Sequence, residues 1–313
     1  MDTSTTKLGG YQGNASILTK ALLRLAECLQ DSPSTWSCQS EVDAPSQGES
    51  ANALFSSVEQ GTRQICYVAS GYLSARVPEL SVLDLPFSVS DRRQALAALD
   101  GDAGELLAQA VAQKTNYQVL GFWDNGFRHL SNSVHPIRKP QDCEGLVIRT
   151  LDNAGYRSAL NALGFEARTT DVKDLVRVIR SGEVHAQENP LTNLLTFELW
   201  RYHPYVSLTG HYFGVLLLVC NKAWYQALTP AKKADLTTAA ASATTLQRQL
   251  AAEADGLALV ELRKLGVQVL GPNELDMAAL REATAVVTQA TRLSLSPALL
   301  SAYLNTPEAS TKG

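Results

Sequence analysis

Segments with strand character and segments with helix character alternate through the first part of the chain, and this alternation constrains the fold more than any other feature. The strand-like segments are KLGGY, WSCQSEVDA, QICYVAS, LSVLDLPF and YQVLGFWD. The helical segments between them are NASILTKALLRLAECLQ, with Asn14 as the expected N-cap, ESANALFSSVEQG and RRQALAALDGDAGELLAQAVAQK. Such alternation predicts an α/β fold with a mostly parallel sheet covered by helices on both faces.

A second α/β series follows Asn125. Its segments are FRHLSN, GLVIRT, GYRSALNALG, DVKDLVRVIRSG and VHAQEN, and the apolar strand within YFGVLLLVCNKAWYQAL comes next. A chain of 313 residues is too long for one small core, so it suits either one large domain or two lobes of ordinary size.

The last third of the chain is predicted to be helical. Thr229 and Pro230 form a good N-cap and first-turn pair, and they begin an apolar-periodic stretch that runs to Leu265. A helix of that length measures about 50 Å, which is enough to run across two lobes. A further helix from about Glu274 to Arg292 and a short one around 297–304 complete the chain.

Composition excludes several classes of protein. A net charge of −4 and the lack of a dense basic stripe argue against a nucleic-acid partner. The longest apolar run, Val215 to Cys220, is far too short to cross a bilayer. Met1 leads directly into the polar segment MDTSTTK, so we expect no signal peptide in this chain, which fits a cytoplasmic protein or a mature exported one equally well.

Neither the cysteines nor the histidines show the spacing of a metal site. The five cysteines lie far apart without a C-x-x-C pair, and their odd number leaves at least one thiol free. Among the five histidines, only His211, beside Tyr212 and next to a strand, is a candidate for a binding pocket. We expect no metal.

The common catalytic and nucleotide-binding motifs are missing as well. No G-x-S-x-G, H-E-x-x-H or P-loop pattern occurs. The segment LGGYQG, from Leu8 to Gly13, lies between a strand and a helix as a dinucleotide fingerprint does, but Leu8 stands where the first glycine belongs. An α/β enzyme that binds a nucleotide at this turn is therefore an alternative hypothesis. Whichever holds, turns of this kind open onto the crevice where ligands bind.

Three planar hydrogen-bonding side chains lie at the boundaries of apolar segments in the middle of the chain. Arg149 interrupts the apolar run in CEGLVIRT, and Arg128 and Asn189 lie in similar places. A buried guanidinium needs a negative partner, which is either a carboxylate of the same chain or an acid from solution. Together the three side chains could grip a carboxylate, with arginine able to bind both of its oxygens.

The same region resembles a known family. The segment GFWDNGFRHLSNSVHPIRKPQDCEGLVIRT is similar to the signature region of the solute-binding proteins of tripartite ATP-independent periplasmic (TRAP) transporters, in their DctP-like branch. The segments HAQENPLTN, LTGHYFGVLLLVCNKAWYQAL and VPELSVLDLPF resemble further parts of that family, although Val184, His185 and Ala186 depart from its usual Asp-Gly before QENP. The resemblance extends from about Lys7 to Leu304.

This resemblance implies a fold, a function and a set of ligand-binding residues. It implies a two-lobed, periplasmic-binding-protein-like fold with mixed sheets, whose lobes are braced by one long helix and close around an organic acid. The main carboxylate-binding arginine of the family falls on Arg149, a second and more variable arginine on Arg128, and a hydrogen-bonding asparagine on Asn189. The predicted lobes are 1–124 with about 213–250, and 125–212 with about 251–305, followed by a flexible tail at 306–313.

The resemblance also implies a place of action and partners. We expect a monomeric periplasmic protein that delivers its acid to the membrane subunits of a TRAP transporter, without cofactor or catalysis. A ligand sensor that presents the same closed form to a receptor kinase is a further hypothesis. Residues at strand ends are candidates for secondary ligand contacts, and they favour a compact hydroxy, keto or aromatic acid: Tyr11, Gln12, Ser70, Tyr72, Trp123, His211 and Tyr212.

Overall fold

The computed structural model describes residues 5–304, which fold into an α/β structure on one continuous sheet. Its strands are β1 (Thr6–Gly9), β2 (Cys38–Glu41), β3 (Ile65–Ala69), β4 (Tyr117–Asn132), β5 (Val147–Thr150), β6 (Glu166–Thr169), β7 (Ala186–Pro190), β8 (Tyr205–Asn221) and β9 (Gln268–Leu270). The predicted tail at 306–313 lies outside the described residues.

Helices cover this sheet. They are α1 (Ile17–Gln30), α2 (Ala51–Glu59), α3 (Arg92–Leu99), α4 (Asp102–Lys114), α5 (Ala154–Ala162), α6 (Leu175–Arg180), α7 (Leu191–Thr196), α8 (Lys222–Ala227), α9 (Pro230–Lys264), α10 (Met277–Ser294) and α11 (Pro297–Leu304). Short 3₁₀ turns lie between several of them.

Two long antiparallel strands, β4 and β8, connect the two lobes of the molecule. The strand order is β2-β1-β3-β8-β4-β7-β5-β6, with β9 beside β8. β3 pairs with the end of β8 from Leu216 to Cys220, whereas β7 pairs with the end of β4 from Arg128 to Asn132. Because each long strand runs from one lobe into the other, the lobes meet near the middle of β4 and β8.

Each lobe has its own hydrophobic core. The first core joins β1, β3, α1 and α4 with the first half of β4 and the second half of β8. The second lobe has three smaller clusters, of which one includes Ile148 and Leu160, another Leu194 and Leu262, and the third Tyr156 and Tyr212. Separate cores of this kind allow the lobes to move as units.

The long helix α9 spans both lobes, as the sequence predicted. It is capped by Thr229, whose side chain accepts a hydrogen bond from the backbone N–H of Lys232. Near its start Leu236 and Ala243 pack in the first core, and near its end Leu262 packs in the second lobe. α9 therefore braces the two lobes from outside the sheet.

The structure differs from the sequence predictions in a few places. LSVLDLPF forms no strand, because the chain enters it through a 3₁₀ turn at Pro78–Val82 and proline lacks the N–H that a sheet requires. Ser16 rather than Asn14 caps α1, since its hydroxyl accepts from Leu18 N at 3.1 Å. The predicted break at Asn125 is a register shift within β4.

The C-terminal residues also pack differently from the predicted lobe boundary. That boundary placed residues up to 305 in the second lobe. Leu295, Leu299 and Tyr303 instead join the core of the first lobe, where α11 lies against α3 and α4. The last described helix, α11, thus lies in the first lobe.

Two helical glycines allow a matched test of how closely α4 packs against the turn at Leu99. A Cβ added at Gly104 in α4 would lie 1.9 Å from the carbonyl oxygen of Leu99, whereas at Gly256 in α9 it would meet no atom within 4 Å. We expect Gly104→Ala to destabilise the protein by about 1–3 kcal/mol through overpacking. Gly256→Ala should stabilise it by about 0.5–1 kcal/mol, because alanine favours a helix.

Thermal unfolding of the wild type and the two variants measures both effects. A Tm that falls for Gly104→Ala and rises for Gly256→Ala is the expected pattern. Equal shifts for the two substitutions would contradict the close packing of α4 against the Leu99 turn.

Candidate functional site

A small cavity of about 30 Å³ lies between the lobes where the strands meet. It is lined by Tyr11, Gln12, Ala69, Tyr72, Asn125, Arg128, Arg149, Leu151, Val172, Asn189, Asn193 and Phe197. Of the first four, Tyr11 and Gln12 follow β1, Ala69 ends β3 and Tyr72 follows β3, all in the first lobe, and the others come from the second lobe. A larger groove of about 530 Å³ adjoins it and shares Gln12, Asn125 and Asn193.

Arg149 is buried at this cavity without a carboxylate partner. Its Nε and Nη2 donate to the carbonyl oxygen of Thr170 at 2.9 and 2.5 Å. Within residues 5–304, no ion pair involves Arg149, which is only 2% exposed. Burial lowers the pKa of its guanidinium, while Tyr72 and Glu188 act in the opposite direction. Arginine stays protonated nonetheless, so the cavity carries a positive charge that no acid contacts directly.

Arg128, unlike Arg149, pairs with a carboxylate of the protein itself, that of Glu188. The Nε of Arg128 forms an ion pair with Oε2 of Glu188, and the Nη2 of Arg128 donates to Glu188 Oε1 at 2.8 Å. The same Nη2 also donates to the Glu188 carbonyl oxygen at 2.7 Å. The charge of this arginine is therefore neutralised within the protein.

Glu188 is a residue of the site that the sequence reasoning missed. Its carboxylate is fully buried and also accepts from Thr150 Oγ1 at 3.0 Å. Burial by itself would raise the pKa of the Glu188 carboxyl, but Arg128 and His211 lower it to about 2. The signal was present in HAQENPLTN, because an acid inside a strand of otherwise buried residues requires a cation nearby.

The Asn189 side chain lies at the cavity within a chain of amides. Its Nδ2 donates to Gln187 Oε1 at 2.6 Å, and its Oδ1 accepts from Asn193 Nδ2 at 3.1 Å. Arg128 Nη2 is a further donor to Asn189 Oδ1 at 3.4 Å. These bonds fix the orientation of the amide beside both arginines.

Aromatic side chains of the first lobe form the facing wall. The Tyr11 ring packs at 4.9 Å from Tyr67 and 5.7 Å from Phe55, and the ring of Tyr72 lies 5.2 Å from Phe55. Burial raises the pKa of the Tyr11 and Tyr72 hydroxyls, so both remain neutral hydrogen-bonding groups. Gln12 is held by Ser16, whose hydroxyl donates to its Oε1 at 2.8 Å.

Four predicted contact residues do not line the cavity. Trp123 lies in the core of the first lobe, where its Nε1 donates to Thr244 Oγ1 at 3.0 Å. Ser70 donates to Asp84 Oδ1 at 3.4 Å, and Tyr212 stacks on Tyr156 at 4.2 Å. His211 lies behind the cavity, with its Nε2 3.6 Å from Glu188 Oε2.

The LGGYQG turn contributes to the cavity through its last side chains, Tyr11 and Gln12. Its glycine at position 10 serves a close approach of the backbone, since a Cβ there would lie 3.2 Å from the Val42 carbonyl oxygen and 3.3 Å from the Tyr67 ring. The Gly10 N–H donates to the Glu41 carbonyl oxygen at 2.8 Å, so this N–H is already bonded within the protein.

A second set of contacts joins the lobes next to the cavity. Asn153 caps α5 of the second lobe with its Oδ1, and its Nδ2 donates to Gly71 O at 3.1 Å and Asp84 Oδ2 at 3.0 Å in the first. A Cβ at Gly71 would lie 3.0 Å from Leu151, so glycine permits the close approach. Burial raises the pKa of the Asp84 carboxyl, and its hydrogen bonds oppose that rise. We call these bonds of Asn153 the interlobe contact.

The described residues contain no cluster of three or more metal-binding side chains, and the five cysteines are free. In the part of the chain from 5 to 304, no helix is long and apolar enough to span a bilayer.

Two α/β lobes that share crossing strands and enclose a cationic cavity define a binding protein of the periplasmic-binding-protein type. Comparison with known families agrees, since the model of the bacterial extracellular solute-binding proteins of family 7 (DctP) matches residues 8–293. The chain belongs to this family, whose members work with TRAP transporters.

Individual relatives are similar over most of the chain. An uncharacterised protein of Haemophilus influenzae is 34% identical over 70% of this chain, and the 2,3-diketo-L-gulonate-binding periplasmic protein of Escherichia coli is 30% identical over 74%. The aligned segments span 67% and 70% of those relatives. A TRAP periplasmic solute-binding protein from Ralstonia eutropha, solved with bound (S)-2-hydroxy-2-methyl-3-oxobutanoate, is 25% identical with a TM-score of 0.89 over 96% of this chain and 98% of its own.

The interlobe contact can be tested by Asn153→Asp, which keeps the oxygen that caps α5 and removes the amide donor. The introduced carboxylate faces Asp84 Oδ2 and Gly71 O, so we expect the variant to lose about 1–3 kcal/mol of stability near neutral pH. Two buried carboxyls in contact have raised pKa values, and their protonation at lower pH removes the repulsion. The loss should therefore shrink as the pH falls from about 8 to about 5.

Thermal unfolding across this pH range gives the measurement. Asn161→Asp is the matched control, because Asn161 lies on the exposed side of the same helix and its Oδ1 accepts from Ala167 N, a bond that aspartate preserves. A Tm loss for Asn153→Asp that is the same at every pH would show that the new carboxylate does not face Asp84.

Proposed function

We propose that this protein captures a small organic acid in the cavity between its lobes and delivers it to the membrane subunits of a TRAP transporter. The observation that carries the proposal is Arg149, a buried cation with no contacting acid among the described residues.

Burial of a charged side chain is costly. An isolated buried ion is unfavourable by several kcal/mol unless a counter-charge and hydrogen bonds compensate it. The carbonyl of Thr170 supplies hydrogen-bond acceptance at Nε and Nη2 but no full negative charge. A carboxylate that enters from solution would supply it, and the aromatic wall of Tyr11 and Tyr72 would keep water from competing.

The size of the cavity supports binding by closure. A volume of about 30 Å³ is smaller than an organic acid of several carbons, so entry requires the lobes to separate and then close on the ligand. Separate cores, two crossing strands and one bracing helix permit such a motion. The closed form then presents a surface made from both lobes, which a membrane partner can recognise.

The named ligands of relatives agree with this chemistry. The E. coli relative is named for binding 2,3-diketo-L-gulonate, and the R. eutropha protein holds a hydroxy-oxo acid. We infer the same general class, a small carboxylate with neighbouring oxygens, for this chain. We further propose that the protein acts as a monomer in the periplasm and performs no catalysis.

Arg149→Ala tests the proposal directly. We expect it to weaken binding of the cognate acid by about 2–5 kcal/mol, because it removes the charge that pairs with the carboxylate. A thermal-shift screen of organic acids identifies ligands of the wild type, and isothermal titration calorimetry then compares the two proteins.

Arg168→Ala serves as the matched control for this experiment. Arg168 is the register partner of Arg149 on β6, but its side chain is exposed and pairs with Glu166. Unchanged affinity in the Arg149→Ala variant, or an equal loss in the control, would contradict the assigned role of Arg149.

A further inference from the structure

We propose that the groove beside the cavity is a second part of the binding site, and that it holds the apolar end of the acid whose carboxylate pairs with Arg149. The ligand is then a hydroxy or oxo acid with a hydrocarbon chain or ring, rather than a sugar acid with hydroxyls along its length. This inference rests on the proposed function and concerns the part of the ligand beyond its carboxylate.

The groove is continuous with the cavity through three amide side chains. Gln12, Asn125 and Asn193 line both spaces. The Oε1 of Gln12 accepts a hydrogen bond from the Ser16 hydroxyl at 2.8 Å. The Nδ2 of Asn193 donates to Asn189 Oδ1 at 3.1 Å. The rest of an acid whose carboxylate lies in the cavity therefore meets these amides first and reaches the groove beyond them.

The two spaces differ in size in a way that suits the two ends of such a ligand. The cavity measures about 30 Å³, enough for a small polar group, whereas the groove measures about 530 Å³. Small-molecule sites in proteins commonly measure about 300–1,000 Å³. An apolar cavity of about 150 Å³ already admits benzene. The groove therefore has room for a chain of several carbons or for an aromatic ring.

Elements of both lobes form the walls of the groove. The start of α1 and the helix α7 form two of them, and the second half of α9 forms a third. Leu18 of α1 packs in the core of the first lobe, whereas Leu194 of α7 packs in the second. Because these walls belong to different lobes, the groove changes its width when the lobes move, as the cavity does. A ligand that fills the groove therefore stabilises the same closed form that encloses its carboxylate.

The surface of the groove is mainly hydrocarbon. Its aliphatic side chains include those of Ile17, Leu195, Ala254, Leu257, Ala258 and Val260. Leu257 and Val260 are 70% and 51% exposed, so large apolar side chains contact water beside the cavity. A hydrocarbon group in the groove removes such surface from water, and each methylene group buried in this way strengthens binding by up to about fourfold.

The charged side chains that line the groove have partners within the protein. They are Asp255, Glu261 and Lys264. Asp255 forms an ion pair with Arg92, and the Nζ of Lys264 lies 3.6 Å from a carboxylate oxygen of Glu261. The groove therefore favours an uncharged group at the far end of the ligand.

The hydroxyl groups of the groove suit only part of a sugar chain. Those of Thr192 and Thr196 both lie on α7, and that of Ser16 already donates to Gln12. A ligand with hydroxyls along its length would place several of them against the aliphatic side chains of α9. Each polar group that is buried without a partner weakens binding, so a hydrocarbon chain fits this space better.

Calorimetry with a series of 2-hydroxy acids tests the inference in the wild-type protein. The series runs from 2-hydroxypropanoate to 2-hydroxyhexanoate, and galactonate is the polyhydroxylated acid of the same carbon number as the last member. We expect the affinity to rise by about two- to fourfold for each added methylene group, and 2-hydroxyhexanoate to bind at least about tenfold more tightly than galactonate. An affinity that stays level or falls along the series, or galactonate that binds as tightly as 2-hydroxyhexanoate, would overturn the inference.

Ala254→Leu tests whether the chain binds in the groove. Ala254 is half-buried and lines the groove from α9, so a leucine there occupies space that the chain needs. The ratio of the affinity for 2-hydroxyhexanoate to that for 2-hydroxypropanoate should fall at least about tenfold. Ala252→Leu, the same substitution at an exposed position of α9 outside the groove, should leave this ratio unchanged. An unchanged ratio in Ala254→Leu would contradict the assigned role of the groove.

Leu257→Gln covers the case in which Ala254→Leu does not fold. Leu257 is exposed, so its substitution should leave the fold intact while it makes the groove more polar. We expect the same affinity ratio to fall by about two- to fourfold, because the chain loses an apolar contact. Val286→Gln, at an exposed position of α10 outside the groove, is the matched control and should leave the ratio unchanged. A ratio that stays level or rises in Leu257→Gln would count against an apolar subsite.

The outcomes also distinguish this inference from the proposed function. Acids that bind through Arg149 but show no dependence on chain length or on the groove would contradict only the inference, and the groove would then be open to another occupant such as a partner protein. Failure of every acid in the wider screen to bind, or binding that is indifferent to Arg149→Ala, would contradict the proposed function and the inference with it.

Discussion

The rest of the site depends on the burial of the Arg149 guanidinium among neutral groups. The chain buries two arginines at one cavity and stabilises them in different ways, one with Glu188 and the other with the Thr170 carbonyl and the Tyr72 hydroxyl. Neutral acceptors satisfy hydrogen bonds but leave the charge uncompensated. An anion from solution therefore gains more electrostatic free energy at Arg149 than at Arg128, so the uncompensated positive charge of the cavity lies at Arg149.

The arrangement arises in the region where β4 and β8 pass from one lobe into the other. Arg128 lies on β4 where that strand passes into the second lobe, and Arg149 lies near the carboxyl end of β5, which β7 separates from β4 in the sheet. The aromatic wall comes from turns after β1 and β3 in the first lobe. Because cation and wall belong to different lobes, separation of the lobes opens the site and closure completes it.

Much of this could be read from the sequence, and the remainder had identifiable physical reasons for being missed. Periodicity located the long helix from Pro230 and most strands, and isolated arginines in apolar segments located the two cations. Strand-end reasoning identified Tyr11 and Tyr72 but also Trp123, because it finds where a side chain starts and not which face of the sheet it occupies. The Glu188 partner of Arg128 lies 60 residues away, and only the pairing of β4 with β7 brings them together.

The bonds that hold the lobes together beside the cavity differ in kind from those within the site. The interlobe contact consists of two hydrogen bonds from the neutral amide of Asn153, and Tyr156 stacks on Tyr212 close by. Hydrogen bonds of this sort contribute about 0.5–1.5 kcal/mol each, a little more where the acceptor is charged, and they exchange with water at modest cost. The buried pair of Arg128 and Glu188 is expensive to separate, but it joins neighbouring strands of one sheet and need not break when the lobes move. The Arg128–Glu188 pair can therefore stay intact while the contact of Asn153 opens, because the pair lies within one lobe and the contact lies between the two.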